Sequence, residues 1–357
     1  MSLLSTPLPL KRGPALKNRF LLAPMTNLQS HADGVLSDDE YRWLTMRAAG
    51  GFGLTMTCAA SVQSIGQGFP GQLGAHADLH LPGLTRLATA LRAAGSVSAL
   101  QLHHAGIRAE RSLVPEPVGP SADEATGARA LSLPEVEQLR DDFIAAAIRA
   151  ERAGFDGVEI HGAHGYVLAQ FLSAELNHRT DRYGGSLENR ARLLLEVVTG
   201  IRAAAGLAFQ LGLRLSPERF GMRLGEMIDL ITELLRGGAL DYLDLSLWDV
   251  FKVPDEEEFS SRSLLSYFTA LPRHDVRICG AGKILSGADA ARALDEGCDF
   301  VAIGRAAILN HDFPELVLGD LSFQAPPLPV SPAHLQAQGV GPAFLDYLRG
   351  WRGFVAA

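Results

Sequence analysis

The sequence predicts an α/β fold, a closed (β/α)8 TIM barrel, on three observations. Short branched or leucine-rich runs alternate with amphipathic runs along most of the 357 residues. Capping residues open the amphipathic runs and glycines close them. Eight such units occur, and alternating βα units imply a parallel sheet that closes at eight. An open doubly wound sheet is the alternative. No composition shift, linker or repeat divides the chain, so residues 1–357 read as one barrel domain with an N-terminal segment, two long loops and a C-terminal tail.

In chain order the strands fall at 18–24, 53–59, 97–103, 157–161, 210–215, 242–246, 276–279 and 300–304. Each is short and bounded by Gly, Pro or polar residues, as strands buried on both faces should be. Helical runs follow at 38–49, 84–94, 134–153, 187–205, 224–236, 262–270 and 287–296, with a short last one near 312–318. Ser37 with Glu40 and Ser132 with Glu135 read as capping boxes, the second with Pro134 in its first turn. Gly50, Gly95, Gly154, Gly206, Gly237 and Gly297 mark helix ends. The connections 106–132 and 248–261 are long. In a barrel both lie on the C-terminal face, where active sites form. The second is acidic and reads either as a solvated loop or as a lid.

The net charge is −8, with 32 basic and 40 acidic residues, and no long basic run is present, which argues against a nucleic-acid partner. No apolar run approaches the ~20 residues of a membrane helix. The start has no basic stretch followed by an apolar one. Cys58, Cys279 and Cys298 form no CxxC and no ligand cluster, so structural zinc, an iron–sulfur cluster and a disulfide framework lack their residues. No metal site is expected, and the expected setting is reduced and cytoplasmic.

Chemistry gathers at the strand ends. Gly282-Lys283 and Gly304-Arg305 end the seventh and eighth strands, where barrels often bind phosphate through glycine backbone N–H groups and a helix N-terminus. Ordinary βα-turn glycine is the plainer reading. There is no Rossmann fingerprint and no Walker sequence. His161 and His164 have no carboxylate to complete a metal set. Beside Tyr166 they read as hydrogen-bond donors to a carbonyl or oxyanion, with the tyrosine as proton donor. Arg214, on a strand, needs an anionic or electron-rich partner in the barrel mouth.

These motifs resemble the old yellow enzyme family of FMN-dependent ene-reductases. Asn177-His-Arg179-Thr-Asp181-Arg-Tyr183-Gly184-Gly185-Ser186-Leu-Glu-Asn189-Arg190 is similar to its most recognisable segment. Ala23-Pro24-Met25, Gln101 to Gly106, Gly119 to Ala122 and Gly304-Arg305 fall in family order. The resemblance covers about 18–305.

It implies FMN across the barrel mouth, with Pro24, Met25, Thr26 and Ala59 lining the ring and Gln101 on its pyrimidine edge. Arg214 would lie near the N1/C2=O edge, and Gly282, Lys283, Gly304 and Arg305 at the phosphate. It implies ping-pong chemistry: hydride from NADPH or NADH to flavin N5, then to the β-carbon of an electrophilic alkene. His161 and His164 would grip the carbonyl oxygen while Tyr166 protonates Cα. The 177–190 segment would fix the loop that aims Tyr166.

Thr26 stands where one branch has cysteine, and its hydroxyl could donate near the flavin O4. Gly106-Ile107-Arg108 displaces the family's arginine by one position. Cys58 reads as a buried thiol. The tail 347–351 is similar to one that enters a neighbouring subunit's site, which would make Arg349 act in trans within a homo-oligomer. The alternatives are another flavin barrel oxidoreductase and a non-redox phosphate-binding lyase or isomerase.

Overall fold

The computed structural model describes residues 2–356, so Met1 and Ala357, the ends of the span read as one domain, lie outside the described residues. Ten strands form: β1 (Phe20–Leu22), β2 (Leu54–Ser61), β3 (Val97–His103), β4 (Val118–Gly119), β5 (Arg129–Ala130), β6 (Gly157–Gly162), β7 (Gln210–Leu215), β8 (Tyr242–Ser246), β9 (Arg277–Ala281) and β10 (Phe300–Ile303). All but β4 and β5 close a parallel barrel in the neighbour order β1-β10-β9-β8-β7-β6-β3-β2. The TIM barrel is therefore the fold, and the open sheet is excluded. β4 and β5 pair with each other inside the first long loop.

The helices are α1 (Asp38–Ala49), α2 (Leu81–Ala93), α3 (Leu133–Ala153), α4 (Val167–Leu172), α5 (Leu187–Ala204), α6 (Leu224–Gly237), α7 (Leu264–Thr269), α8 (Gly287–Asp295), α9 (Arg305–Leu309), α10 (Phe313–Gly319), α11 (Pro332–Ala337) and α12 (Pro342–Arg349). Two expectations need correction. The helix predicted over 84–94 starts earlier, because the 3-10 turn Asp78–His80 leads directly into it and Pro82 sits in its first turn. The box at Ser132 is reciprocal, with Glu135 accepting from the Ser132 N–H at 2.8 Å. At Ser37 only half of a box forms. Ser37 Oγ accepts from the Glu40 N–H, while the Glu40 carboxyl is buried and accepts from Cys58 and Ser30.

Apolar side chains fill the lower barrel: Leu21, Leu54, Met56, Val97, Tyr242 and Phe300 pack with Leu8, Leu10 and Leu16 from the N-terminal segment. Leu8 and Leu16 form an antiparallel bridge, and Gln210 Nε2 donates to the carbonyls of Arg12 and Pro14 at 2.8 Å each. This hairpin seals the N-terminal end, which leaves the C-terminal end for polar groups. A second apolar layer lies between strands and helices.

One irregularity aims a site residue. Met56 pairs with Ala99 but Ala59 pairs with Gln101, so β2 carries an extra residue between them. Side chains on a strand alternate, and Met56 points inward. Without the bulge Cys58 would face the barrel interior; with it, Ala59 does. Cys58 turns outward instead and donates to Glu40 Oε1 at 2.7 Å. Burial and the neighbouring Glu40 push its thiol pKa up, in keeping with a buried apolar role.

Candidate active site

Residues two apart on a strand share a face, so the upper barrel is lined by Gln101 and His103 of β3, Glu159 and His161 of β6, Arg214 of β7, and Asp244 and Ser246 of β8. Register sets Gln101 beside Glu159, His161 beside Arg214, and Arg214 beside Asp244.

Two adjoining cavities open there. The larger, about 450 Å³, is lined by Pro24, Met25, His164, Tyr166, Arg214, Gly282, Lys283, Gly304 and Arg305 among others. The smaller, about 140 Å³, is lined by Pro24, Met25, Thr26, Ala59, Gln101, His161, His164 and Tyr166. Every residue assigned from the sequence to the flavin, its phosphate or the reacting alkene borders one or both. Sequence reasoning missed Phe220, Trp248 and Trp351 on the larger cavity and Phe69 and His103 on the smaller. His164, Phe220, Trp248 and Lys283 have positive φ although none is glycine. Such backbone strain tends to gather at functional sites.

The histidines are paired with each other. His161 Nε2 and His164 Nδ1 lie 3.0 Å apart, and His164 Nε2 lies 2.7 Å from Ser246 Oγ. Burial holds His164 down to about 3 and His161 well below its ordinary value, so both rings are neutral. His161 Nδ1 is buried without a partner. Protonating Nε2 on both rings makes that atom a lone pair, which costs less than a stranded N–H. Each ring then has one N–H, that of His161 engaged with His164 and that of His164 with Ser246. Tyr166 packs edge-on against His103, with ring centroids 4.4 Å apart. Burial raises its pKa and Arg108 opposes that, so the hydroxyl stays protonated.

Arg214 already has a counter-ion within the protein. Its Nε lies 3.2 Å from Asp244 Oδ2, and both side chains are buried. The sequence reading left that partner to a ligand and did not single out Asp244 or Glu159. Gln101 Nε2 donates to Glu159 Oε1 at 2.8 Å, which orients the amide. Glu159 makes no ion pair with the Arg214 guanidinium, and burial beside Asp244 favours its protonated form. Burial, and then the charge of Asp244, push Glu159 up to about 8 against the pull of Arg214.

A stability profile follows from these shifts. Between 4.5 and about 8 the folded Glu159 holds a proton that the unfolded one releases, so this group's contribution is lost as pH rises. His103, His104 and His164, held down to about 3, act the other way below 6.5: stability is lost as pH falls. The melting temperature should peak near neutrality, and Glu159→Gln should flatten the fall between 6.5 and about 8 and steepen the rise between 4.5 and 6.5. An unchanged alkaline slope in thermal melts of the variant would contradict the assignment.

The phosphate-end expectations divide. Gly282 has φ +147°, and a Cβ there would lie 2.8 Å from the Asp249 nitrogen. Close approach of the 248–250 backbone therefore suffices to require this glycine. Lys283 is not a free cation, since its Nζ lies 3.1 Å from Asp249 Oδ2. At Gly304 a Cβ would meet nothing nearer than Met25 Sδ at 3.7 Å, so its backbone faces open cavity. The following helix, α9, has five residues. The acidic 248–261 loop is tied down: Lys252 pairs with Glu218 and Asp255 at 2.7 Å each, and Leu224 N–H donates to Glu256. The ties hold the loop at those points, while Val253, Asp255, Glu257, Glu258, Ser260 and Ser261 are exposed, as in a solvated loop.

The 177–190 segment braces the site. Asn177 Nδ2 donates to the carbonyls of Phe171 and Tyr183 at 2.7 Å each, and Arg190 to that of Leu172. Both grips hold the end of α4, which starts directly after Tyr166. Arg179 reaches instead to Pro120 and Leu131 in the first long loop. Asn177→Leu strands two carbonyls and should cost about 2–4 kcal/mol at ~1–2 kcal/mol each. Urea melts check this, and a change below about 0.5 kcal/mol, the scatter of an ordinary surface substitution, would contradict the bracing role.

The tail folds over its own barrel. Phe344 packs edge-on against Trp43 with centroids 5.0 Å apart, and Val330 bridges Val355. Trp351 borders this chain's own larger cavity. Arg349 is half-exposed, 3.7 Å from Asp346, and borders neither cavity.

Residues 4–322 match the NADH:flavin oxidoreductase / NADH oxidase family. The chain belongs to this family. It is 38% identical over 319 residues to the probable NADH-dependent flavin oxidoreductase YqiG of Bacillus subtilis, covering 86% of this chain and 85% of that one. It is 36% identical to the NADH:fumarate oxidoreductase of Klebsiella pneumoniae, across 86% of this chain and 35% of that longer one. Morphinone reductase in complex with tetrahydroNAD superposes with a TM-score of 0.78 at 30% identity, covering 96% of each chain. The old yellow enzyme homologue of Zymomonas mobilis superposes with a TM-score of 0.80 at 28% identity, covering 96% of this chain and 99% of that one.

The protein is thus an NAD(P)H-dependent flavin oxidoreductase of the old yellow enzyme type, and its cofactor is FMN. Its larger cavity fits such a group. The volume lies in the range of small-molecule sites, roughly 300–1,000 Å³. Among the described residues Arg214, Lys283 and Arg305 line it and no Asp or Glu does, and the Gly304 backbone lies open to it. No trio of ligating side chains is gathered for a metal among the described residues of the flavin oxidoreductase. No helix among them is long and apolar enough to cross a membrane.

Proposed function

We propose that the flavin oxidoreductase is an ene-reductase for activated alkenes, namely α,β-unsaturated carbonyl compounds and nitroalkenes. When bound, FMN supplies the relay of hydride from NADPH or NADH to the alkene β-carbon. Arg305 and the Gly304 backbone would hold its phosphate, with Gly282 and Lys283 beside them. Pro24, Met25, Thr26 and Ala59 would line its ring. Gln101, oriented by Glu159, and Arg214, held by Asp244, would meet its polar edge.

His161 exchanges its hydrogen bond to His164 Nδ1, and His164 its hydrogen bond to Ser246 Oγ, for the substrate's carbonyl oxygen, each offering its Nε2–H. These donors strengthen as charge builds on that oxygen. Tyr166 gives its hydroxyl proton to Cα. The aromatic rim of Phe220, Trp248 and Trp351 excludes water.

The observation that carries this reading is that Tyr166 and His164 line both cavities, with His161 beside them on the smaller one. The test is an anaerobic titration. NADH or NADPH should bleach the yellow protein, and a simple enone should restore the absorbance with one saturated ketone formed per flavin. Bleached protein that no enone or nitroalkene re-oxidises would overturn the reading.

A further inference from the structure

Arg108 is a charged group that this mechanism leaves unused. It ends the 3-10 turn Gly106–Arg108 after β3 and borders the larger cavity. Arg108 is exposed, and three groups neighbour its guanidinium. Its Nη1 donates to the His164 carbonyl, and its guanidinium carbon lies 4.9 Å from the Tyr166 ring centre and 5.9 Å from that of Phe220. Gly106 permits the turn, with φ +63° and no room for a Cβ against Gln170 Oε1.

Arg214 is neutralised by Asp244, Lys283 by Asp249 and nearby Arg219 by Asp255. Arg108 has no carboxylate partner among the described residues, and none lines the cavity. Holding an arginine in one place sacrifices rotamer freedom, which a bound anion would offset. Its unused N–H groups form a planar fork suited to anionic oxygens. Arg305 is the other unpaired cation here, but it lies beside Gly304 at the far strand end. Arg108 shares its end with His164 and Tyr166, so the anion it meets belongs to the reacting molecule.

We infer that Arg108 is a specificity-determining residue that holds an anionic oxygen group on the molecule bound at the His164–Tyr166 end. Two sources share that chemistry: a carboxylate on the alkene and the diphosphate of the nicotinamide. The inference rests on the ene-reductase reading, and where the anion is the alkene's it names the substrate class as alkenes bearing an anionic group besides the activating carbonyl.

The experiment compares wild type, Arg108→Gln and Arg108→Lys on an enone bearing a carboxylate and on its methyl ester, and measures the Kd of NADH in anaerobic stopped flow. The ratio of kcat/KM, acid over ester, cancels any general disturbance of the His164 loop. Arg108→Gln should lower that ratio at least tenfold, and Arg108→Lys should keep most of it. An unchanged ratio with NADH Kd raised tenfold would place the anion on the nucleotide. Neither change would overturn the inference. If neither enone is turned over although NADH bleaches the protein, the ene-reductase reading fails, and the NADH arm alone decides the role of Arg108.

Discussion

Tyr166→Phe should slow flavin re-oxidation by an enone about 10²- to 10⁴-fold, the range of one well-placed acid. Reduction by NADPH or NADH should change less than about threefold, because a nicotinamide donor needs no proton from this residue. The variant removes one hydroxyl and keeps the ring that packs on His103 at 4.4 Å. Wild-type re-oxidation should stay flat across neutral pH, since burial raises the Tyr166 pKa above its ordinary 10. Stopped-flow traces of the two half-reactions separate the cases. Equal slowing of both would mean that the hydroxyl shapes the cavity and does not deliver a proton.

Arg214→Leu should have the largest effect on the protein itself. It leaves Asp244 buried beside Glu159 with no cation, a change that costs about 3–5 kcal/mol in comparable pairs. Flavin content after desalting should fall with it. The double variant Arg214→Leu/Asp244→Leu distinguishes the two losses. Removing both charges should recover most of the stability, because no uncompensated carboxylate remains. It should not recover flavin, because the cation is still absent. A double variant as unstable as the single one would mean that Arg214 acts through packing and not through Asp244.

These effects show where the sequence was readable. The eight strands were legible because each is an apolar run closed by glycine or a polar residue, and those signals are local. The bulge in β2 was not, since an extra residue shows only in the pairing of Ala59 with Gln101. Asp244 and Glu159 were missed because a lone acid in a strand resembles a solvent-facing residue. Their signal was parity: Glu159 lies two before His161, and Asp244 two before Ser246, on the inward face. The helix α4 is six residues long, too short for a periodic pattern. Trp351 could not be assigned to this cavity from sequence, because the tail's path over the barrel depends on distant contacts such as Phe344 on Trp43. Arg108 was noticed as displaced, but its place over Tyr166 follows from the turn at Gly106.

The central claim is that hydride and proton reach the alkene from different sources. Isotope placement in the product tests it most directly. With nicotinamide deuterated at C4 and ordinary water, deuterium should appear at the β-carbon alone. With ordinary nicotinamide in deuterated water, it should appear at the α-carbon. Deuterium from the nicotinamide at the α-carbon, or product with the C=C bond intact and the carbonyl reduced, would contradict the account.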